Sequence, residues 1–226
     1  MNTYRFSDIQ SIIASRGLLY PLDVMLVGAT GTGKSSTLNA LFGSEVAKVG
    51  TGVDPETQKI SSSRLHEYLR FHDSAGLGDG IEADRHHAKN ITSQLLSTCT
   101  CNNEDYGFID MALVILDGGS RDLGTAFDLL ERVVLESISG DRVIVAVNQA
   151  DMAMKGRYWN HSTGRPEPRL VDFLENQMLS IQQRLLESTS QRIPKPVYYS
   201  AAYNYNTDAL MDHIIRHMPK KRRPKI

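Results

Sequence analysis

Residues 28–35 read Gly-Ala-Thr-Gly-Thr-Gly-Lys-Ser, which matches the phosphate-holding spacing G-x-x-x-x-G-K-[ST]. Glycines tolerate backbone angles that turn successive amide N–H groups inward, and such groups form an anion-binding nest at a helix N-terminus. Lys34 would reach the outer phosphates of a polyphosphate, and Ser35 would place its hydroxyl on Mg²⁺. We expect the following residues of this loop to hold phosphate: Gly28, Gly31, Thr32, Gly33, Lys34, Ser35 and Ser36.

A strand and a helix must flank this loop if it is to present its amides to phosphate. The apolar run at residues 24–27 predicts a short strand, and Leu38, Leu41 and Phe42 follow the loop at helical spacing. Gly43 is a natural end for that helix. The segment therefore has the order strand, loop, helix that a phosphate loop requires.

Five further segments predict strands. Residues 59–66 and 68–73 predict two strands joined by a tight hairpin, and the continuous apolar runs 111–116 and 142–147 predict central parallel strands buried on both faces. Residues 197–199 predict the last strand. Ligands of such sheets bind at the carboxyl ends of the strands, so the residues that follow these strands are the first candidates for a site.

Helical spacing between these strands predicts the layers that cover the sheet. Helices are predicted at residues 83–96, 123–134, 170–185 and 210–218. Alternating strands and helices predict an α/β fold with a mostly parallel sheet.

The ends of the chain and one internal segment differ from this alternating pattern. A short amphipathic helix with a capping box at residues 7–10 precedes the first strand, and the polar segment 153–169 predicts an inserted loop. We expect an N-terminal helical extension at residues 1–20, one domain at residues 21–218 and a basic tail at residues 219–226.

The composition favours a globular chain without a strong charge bias. Hydrophobic residues make up 41% of the 226 residues, and a net charge of −1 argues against a generally basic nucleic-acid binder. Cys99 and Cys101 are the only cysteines, and we expect reduced thiols at a helix end. No apolar run approaches the ~20 residues that span a bilayer, and the N-terminus lacks a secretory core, so we expect a cytoplasmic protein.

Short polar motifs follow the phosphate loop in a fixed order. They are Thr57, the D-x-x-G of Asp73 and Gly76, the N-x-x-D of Asn148 and Asp151, and the pair Ser200-Ala201. With these motifs the chain resembles the P-loop GTPases of the Era/TrmE-like group, in the bacterial translation-factor-related class, over roughly residues 23–218. The resemblance implies the P-loop NTPase fold of a Ras-like G domain: a mostly parallel six-stranded sheet with one antiparallel edge strand and helices on both faces.

The resemblance also implies that the chain binds GTP or GDP with Mg²⁺. Asp73 would hold the metal through a water, and the Gly76 amide would reach the γ-phosphate. Thr57 would bind both, and it is favoured over Thr51 because it immediately precedes a predicted strand. The implied metal ligands are Ser35, Thr57 and Asp73, and the implied catalytic residues are Lys34, Thr57 and Gly76.

Guanine would be read by Asp151, because a carboxylate accepts from both N1–H and the exocyclic amine, an edge that adenine does not present. Asn148 would brace the nearby loops, and the Ala201 amide would support the guanine carbonyl. Gln149 occupies the position where the family commonly has a lysine that covers the base, so base stacking should be weaker. The implied nucleotide-binding residues of this region are Asn148, Gln149, Asp151, Ser200, Ala201 and Ala202.

Two departures from related proteins concern hydrolysis. Ras-like proteins carry a water-orienting glutamine where this chain has Leu77, and TrmE-like relatives fix a potassium ion with an asparagine where this chain has Gly31. We therefore expect slow hydrolysis unless a partner, a dimer of G domains or another residue assists. Arg85, His86 and His87 follow the D-x-x-G motif, and we interpret them as the polar face of a helix rather than as catalytic groups.

The leading hypothesis is a GTP-binding molecular switch with slow GTP hydrolysis. One alternative is a nucleotide-responsive binding module with negligible turnover, and another is an ATPase or nucleotide kinase, against which Asp151 argues. The basic run at residues 220–225 would either bind RNA, the ribosome or an anionic surface, or form a solvated terminus, which is the commoner meaning.

Overall fold

A computed structural model of the chain describes residues 3–43, 61–74, 81–120 and 123–223. Its strands are β1 (Leu22–Val27), β2 (Ser61–His66), β3 (Leu69–Asp73), β4 (Thr98–Cys101), β5 (Glu104–Gly107), β6 (Met111–Asp117), β7 (Val143–Asn148), β8 (Trp159–Asn160), β9 (Arg165–Pro166) and β10 (Val197–Tyr198). Six of these strands form one sheet in the order β10-β7-β6-β1-β3-β2. Among the described strands of that sheet, only β2 runs antiparallel to its neighbour, which confirms the predicted architecture.

The central strands β1, β6 and β7 are buried along almost their whole length, because helices cover both faces of the sheet. Their register aligns the carboxyl ends: Leu26 of β1 lies beside Asp73 of β3, and Asp117 of β6 lies beside Asn148 of β7. The polar residues that end these strands are thereby brought to one edge of the sheet.

Helices account for the rest of the core. They are α1 (Phe6–Arg16), α2 (Lys34–Phe42), α3 (Ile81–Leu95), α4 (Gly124–Leu129), which continues through a π-helical turn (Leu130–Val134) into α5 (Leu135–Ser137), α6 (Pro168–Thr189) and α7 (Thr207–Arg216). Met25 and Val27 pack with α3 to α6, whereas Val24 and Leu26 pack with α1, α2 and α7. Alternate residues of β1 thus face the two helical layers. None of the helices in the described ranges is long and apolar enough to cross a membrane.

Helix α1 begins differently from the sequence prediction. It starts at Phe6, and Arg5 precedes it with a φ of 55° and no side-chain cap, so the predicted capping box is wrong. Ile9 and Ile13 are buried in the same core cluster as α2 and α7, and burial of this apolar stripe is what holds the helix in place. The division of the chain at residues 20 and 218 stays a prediction.

The two cysteines lie in a strand and not at a helix end. Cys99 and Cys101 belong to β4, which pairs with β5 as an antiparallel hairpin, and both thiols are free. Asn102 and Asn103 form the turn with φ values of 53° and 64°, a left-handed conformation that asparagine tolerates well. The sequence did not predict this hairpin, because its residues are mostly polar and give no strand pattern.

The segment predicted as an inserted loop, residues 153–169, contains a second hairpin. A kinked 3-10 segment, Ala150–Gly156, leads into β8, which pairs with β9 before α6 begins at Pro168. The two paired strands are only two residues each, too short to produce a periodic sequence signal. This part of the prediction was therefore incomplete.

The described part of the basic tail packs on the fold. Arg223 is only 4% exposed and donates to the carbonyl oxygens of Ile109 at 2.9 Å and Ser137 at 3.2 Å. Arg222 donates to the carbonyl oxygen of Gly17 at 2.7 Å. The interpretation of this run as a solvated terminus is wrong for these two arginines, because backbone carbonyls from distant segments accept their hydrogen bonds.

Candidate functional site

The phosphate loop connects the end of β1 to the start of α2 and is closely packed at two of its glycines. A Cβ at Gly28 would lie 2.6 Å from the carbonyl oxygen of Ile115. Gly33 has a φ of 84°, and a Cβ there would lie 2.3 Å from the side-chain nitrogen of Asn148. Gly31 has the same φ, but a Cβ there would meet no atom of the described residues within 4 Å. Glycine is thus required by contact at Gly28 and Gly33, and by backbone conformation at Gly31 and Gly33.

The start of α2 carries the predicted anion-binding groups. Gly33 precedes the helix, so the backbone N–H groups of Lys34, Ser35 and Ser36 belong to its first turn, where they have no helical carbonyl as partner. Ser35 and Ser36 are partly exposed, and the Thr32 hydroxyl donates to the carbonyl oxygen of Ala29 at 3.0 Å. The first turn can therefore offer both amides and a hydroxyl to an anion.

The Lys34 side chain folds back over the loop. Its ammonium group donates to the carbonyl oxygens of Gly28 at 2.9 Å and Ala29 at 3.2 Å. Burial lowers the pKa of Lys34, and the negative charge of Asp73 opposes that shift. A phosphate oxygen would be a stronger acceptor than these carbonyls, so the ammonium group is poised to exchange them.

Asp73 ends β3 beside the phosphate loop. Burial raises the pKa of its carboxyl group, and the nearby Lys34 charge opposes the rise. Its Oδ1 is buried and has no hydrogen-bond partner among the residues that the structure describes. An unpaired buried carboxylate oxygen is costly, and a Mg²⁺ ion with its water shell would satisfy it. Ser35 and Asp73 therefore fit the metal that the sequence implied.

The N-x-x-D motif places Asn148 between two loops. Its side-chain Nδ2 donates to the carbonyl oxygen of Thr32 at 2.9 Å, and its Oδ1 accepts from the Ala201 N–H at 3.0 Å. The structure thus brings the phosphate loop, Asn148 and the Ser200-Ala201 pair together. Because the Ala201 N–H already donates to Asn148, its predicted support of a guanine carbonyl requires this bond to be shared or exchanged.

Gln149 makes a contact that the sequence did not reveal. Its side-chain amide donates to the carbonyl oxygen of Gly31 at 2.8 Å, and its backbone has a φ of 59°. The residue that replaces the common lysine of this motif therefore joins the base-side loop to the phosphate loop. A glutamine can make such a neutral hydrogen bond to a carbonyl without bringing a charge into the site.

Asp151 lies at the base side of the site and is only 8% exposed. Its Oδ1 is buried without a hydrogen-bond partner in the described ranges. The turn that carries it is held by the Ala150 N–H, which donates to Tyr199 O at 3.1 Å, and by the Met152 N–H, which donates to Gln149 O at 2.9 Å. A fixed carboxylate with one unpaired buried oxygen suits a ligand edge with two adjacent donors, as guanine has.

The Ser200–Ala202 loop follows β10, which pairs with β7, the strand that leads into the Asn148–Asp151 turn. Ser200 is fully buried, and its hydroxyl accepts from the Tyr203 N–H at 3.3 Å. Ala201 is partly buried and Ala202 is exposed. Ser200 therefore shapes the loop from within.

The residues predicted to contact the γ-phosphate and the three that follow the D-x-x-G motif differ in whether the structure describes them. Thr57, its alternative Thr51, Gly76 and Leu77 lie outside the described residues. Arg85 and His86 of α3 are exposed, as expected for a polar helix face, while His87 is partly buried.

One structural contact of the site was missed in the sequence. The hydroxyl of Tyr199, which is fully buried, lies 2.6 Å from the Thr37 hydroxyl on α2. This hydrogen bond holds the phosphate-binding helix against the segment that leads into the Ser200–Ala202 loop. No local pattern could pair two residues that are 162 positions apart.

Comparison with solved structures finds several proteins with a similar fold. Toc33 from Arabidopsis thaliana, in complex with GDP and Mg²⁺, matches with a TM-score of 0.64 and 13% identity over 100% of this chain and 96% of that chain. The G domain of the T. maritima FeoB iron transporter matches with a TM-score of 0.51 and 21% identity over 87% and 98% of the two chains.

Aquifex aeolicus Era bound to GDP.AlF4- matches with a TM-score of 0.53 and 15% identity over 87% of this chain. The match spans only 56% of the Era chain. At these identities the likeness shows the fold alone. A search of curated proteins finds no match.

The family profile described as 50S ribosome-binding GTPase matches residues 23–149, which include the phosphate loop, Asp73 and Asn148. This range covers more than half of the 226 residues. The chain therefore belongs to the 50S ribosome-binding GTPase family.

Proposed function

We propose that the protein binds GTP and GDP with Mg²⁺ and hydrolyses GTP slowly, as a nucleotide-dependent molecular switch. The observation that carries this proposal is the junction at Asn148, which ties the phosphate loop through Thr32 to the base side through Ala201. A site joined in this way can sense phosphate and base together. The alternative is a binding module that responds to the nucleotide, and it differs from the switch only in a negligible rate of GTP hydrolysis.

The chain's own groups suit phosphoryl transfer by positioning and charge stabilisation. The first-turn amides of α2 would hold the phosphates, and Lys34 would leave the carbonyls of Gly28 and Ala29 to meet them. Ser35 and Asp73 would hold the metal, which when bound would offset negative charge on the phosphates. Thr57 and Gly76 are proposed from the sequence to contact the γ-phosphate.

We propose slow turnover because this sequence lacks two side chains that assist hydrolysis in related proteins. Leu77 has no amide with which to orient a water, and Gly31 has no side chain with which to fix potassium. Gly31 instead provides a carbonyl oxygen to Gln149. A single-turnover GTP assay with and without K⁺ tests the rate, and measurable slow hydrolysis distinguishes the switch from a binding module without turnover.

Base selectivity is tested at Asp151. The Asp151→Asn variant should reverse the preference for GTP over xanthosine triphosphate and weaken GTP binding by about 100-fold, because the paired acceptor of the guanine donors is lost. Asp128→Asn, on the surface of α4 with a 63% exposed side chain, is the matched control. Isothermal titration that shows equal GTP and ATP binding by the unaltered protein would contradict the assignment of guanine and favour an ATPase or kinase.

We propose the Era/TrmE-like group as the nearest subdivision of the family, on the motif order alone. A guanine nucleotide is the partner that the site supports. A protein, ribosome or RNA partner, a dimer of G domains and a cytoplasmic location stay predictions. Comparing proteins captured by the GTP-loaded and GDP-loaded forms tests the first of these.

A further inference from the structure

The β8–β9 hairpin packs directly on the loop that follows β10. The Trp159 ring lies 5.2 Å from the Tyr203 ring, measured between centroids, and 5.5 Å from the Tyr205 ring. His161 Nδ1 lies 2.8 Å from the Tyr203 hydroxyl. A Cβ on Gly164 would lie 3.4 Å from the Tyr203 ring. Three residues of the hairpin thus surround one aromatic side chain.

Tyr203 connects this hairpin to the Ser200–Ala202 loop. Its backbone N–H donates to the Ser200 hydroxyl at 3.3 Å, and Ser200 and Tyr205 exchange two backbone hydrogen bonds of 3.0 Å. The loop between them is therefore a short closed turn whose one outward aromatic group is held by the hairpin. Fixing the Tyr203 ring fixes the turn that carries Ala201.

The same hairpin is joined to the base-reading carboxylate along the chain. Asp151 lies in the kinked segment Ala150–Gly156, and β8 starts at Trp159. Trp159 is only 5% exposed and belongs to the core cluster that includes Ala150 and Ala153. One compact unit therefore supports both sides of the base site, Asp151 from one end and the Ser200–Ala202 loop from the other.

Resting on the proposed guanine-nucleotide site, we propose that the β8–β9 hairpin and Tyr203 form an aromatic clamp that positions the Ser200–Ala202 loop for the base. Gln149 donates to Gly31 and has no long aliphatic stem ending in a charge, so it cannot cover the base as the common lysine does. The clamp instead orders the base site by holding the Ser200–Ala202 loop in place. Tyr203 is thus a positioning residue for nucleotide binding, acting through the loop backbone.

The clamp predicts a separation between base binding and phosphate binding. An ordered loop lowers the entropy cost of binding. Loosening the loop should therefore reduce the affinity for GDP much more than the affinity for a ligand that contacts only the phosphate loop. Inorganic tripolyphosphate is such a probe. Trp159 is the only tryptophan of the chain, so its fluorescence reports directly on the clamp.

The experiment compares the unaltered protein with Tyr203→Ala, Tyr203→Phe and His161→Ala. Tyr20→Ala is the control, because Tyr20 is 64% exposed and its ring contacts Tyr68, away from the clamp. We expect Tyr203→Ala to weaken GDP binding about tenfold, with tripolyphosphate affinity within about twofold of the unaltered protein. Tyr203→Phe keeps the ring contacts and should recover most of the GDP affinity. GDP should change the Trp159 emission of the unaltered protein and of Tyr20→Ala, but not of Tyr203→Ala.

The results separate three outcomes. Failure of the unaltered protein to bind GDP contradicts the proposed function itself. GDP binding by the unaltered protein together with an unchanged GDP affinity in Tyr203→Ala overturns the clamp, even if the melting temperature falls. If Tyr203→Ala does not fold, the His161→Ala variant, which changes an exposed residue, tests the clamp. A GDP affinity about threefold weaker supports the clamp, and an unchanged affinity overturns it.

Discussion

The side-chain amide of Asn148 donates to the carbonyl oxygen of Thr32 at 2.9 Å, and the two residues are 116 positions apart in the sequence. The carbonyl oxygen of the same side chain accepts from the Ala201 N–H at 3.0 Å. Asn148 is only 2% exposed, and its hydrogen bond to Thr32 is buried while the one from Ala201 is partly buried. One side chain therefore joins the loop proposed to bind phosphate to the loop proposed to support the base.

Replacement of Asn148 by alanine should damage both stability and binding. The buried Thr32 O and the partly buried Ala201 N–H would lose their partner, and we expect the free energy of unfolding to fall by about 2–4 kcal/mol. GDP affinity should fall at least about tenfold, because the two loops would no longer be held together. Urea denaturation and isothermal titration measure these effects. Gln183→Ala, which removes an exposed amide from α6, should change neither, and an equally stable Asn148→Ala would contradict the role of the junction.

The two left-handed glycines of the phosphate loop should differ in their response to alanine. Gly31 and Gly33 share a φ of 84°, so both variants carry the same backbone strain. Of the two, only Gly33 would bring its new Cβ against another group of the described residues, the Asn148 nitrogen at 2.3 Å. We expect Gly33→Ala to lower the free energy of unfolding by about 2 kcal/mol more than Gly31→Ala. Equal losses in denaturation would show that the contact with Asn148 yields without cost.

Asp110 should make stability depend on pH. Burial raises the pKa of Asp110 to about 7; the hydrogen bond from the Asp23 N–H opposes the rise, the negative charge of Asp23 adds to it, and the charges of Arg142 and Arg223 oppose it. Because this pKa is raised in the folded state, the stabilisation from the protonated carboxyl group is full below about pH 4 and is lost progressively as the pH rises to about 7. Asp110→Asn stays neutral and can still accept from the Asp23 N–H, which donates to Asp110 Oδ2 at 2.9 Å. Its stability relative to the unaltered protein should therefore increase by about 3 kcal/mol between pH 5 and pH 8.

The measurement is the difference in free energy of unfolding between Asp110→Asn and the unaltered protein across that pH range. The difference removes contributions of other groups, such as His213, whose pKa is lowered to about 4 by burial and by the nearby His217 and Arg216. Asp128→Asn on the surface should give a flat difference. A flat difference for Asp110→Asn as well would show that this carboxyl group is ionised throughout.

Arg223 should be a structural residue despite its place in the basic tail. Its guanidinium group donates to Ile109 O and Ser137 O, and alanine would leave these two buried carbonyl groups unpaired. We expect the free energy of unfolding to fall by about 2–3 kcal/mol. Thermal unfolding measures the loss, and the exposed Lys220→Ala is the control. Similar melting temperatures for both variants would restore the interpretation of a solvated tail.

The local order of the chain was sufficient to predict much of this protein. The glycine spacing before Lys34, the buried apolar runs and the polar residues that follow each strand predicted the sheet, the helices on both faces and the phosphate loop. These signals are local, since the period of the apolar residues and the conformational needs of glycine act over a few neighbouring residues. The motif also predicts that Asp151 reads guanine, and in the structure the Oδ1 of this residue is buried without a hydrogen-bond partner among the described residues.

Tertiary structure alone decided which groups meet. Gln149 with Gly31, Tyr199 with Thr37, and Arg223 with Ile109 are hydrogen-bonded pairs separated by more than a hundred positions, and no periodicity relates them. The short β8–β9 hairpin was equally invisible, because its strands depend on packing against Tyr203 rather than on their own pattern. The sequence by itself predicts which loops would bind phosphate and base, whereas chain folding determined how these loops are joined, since that depends on contacts made only once the sheet is assembled.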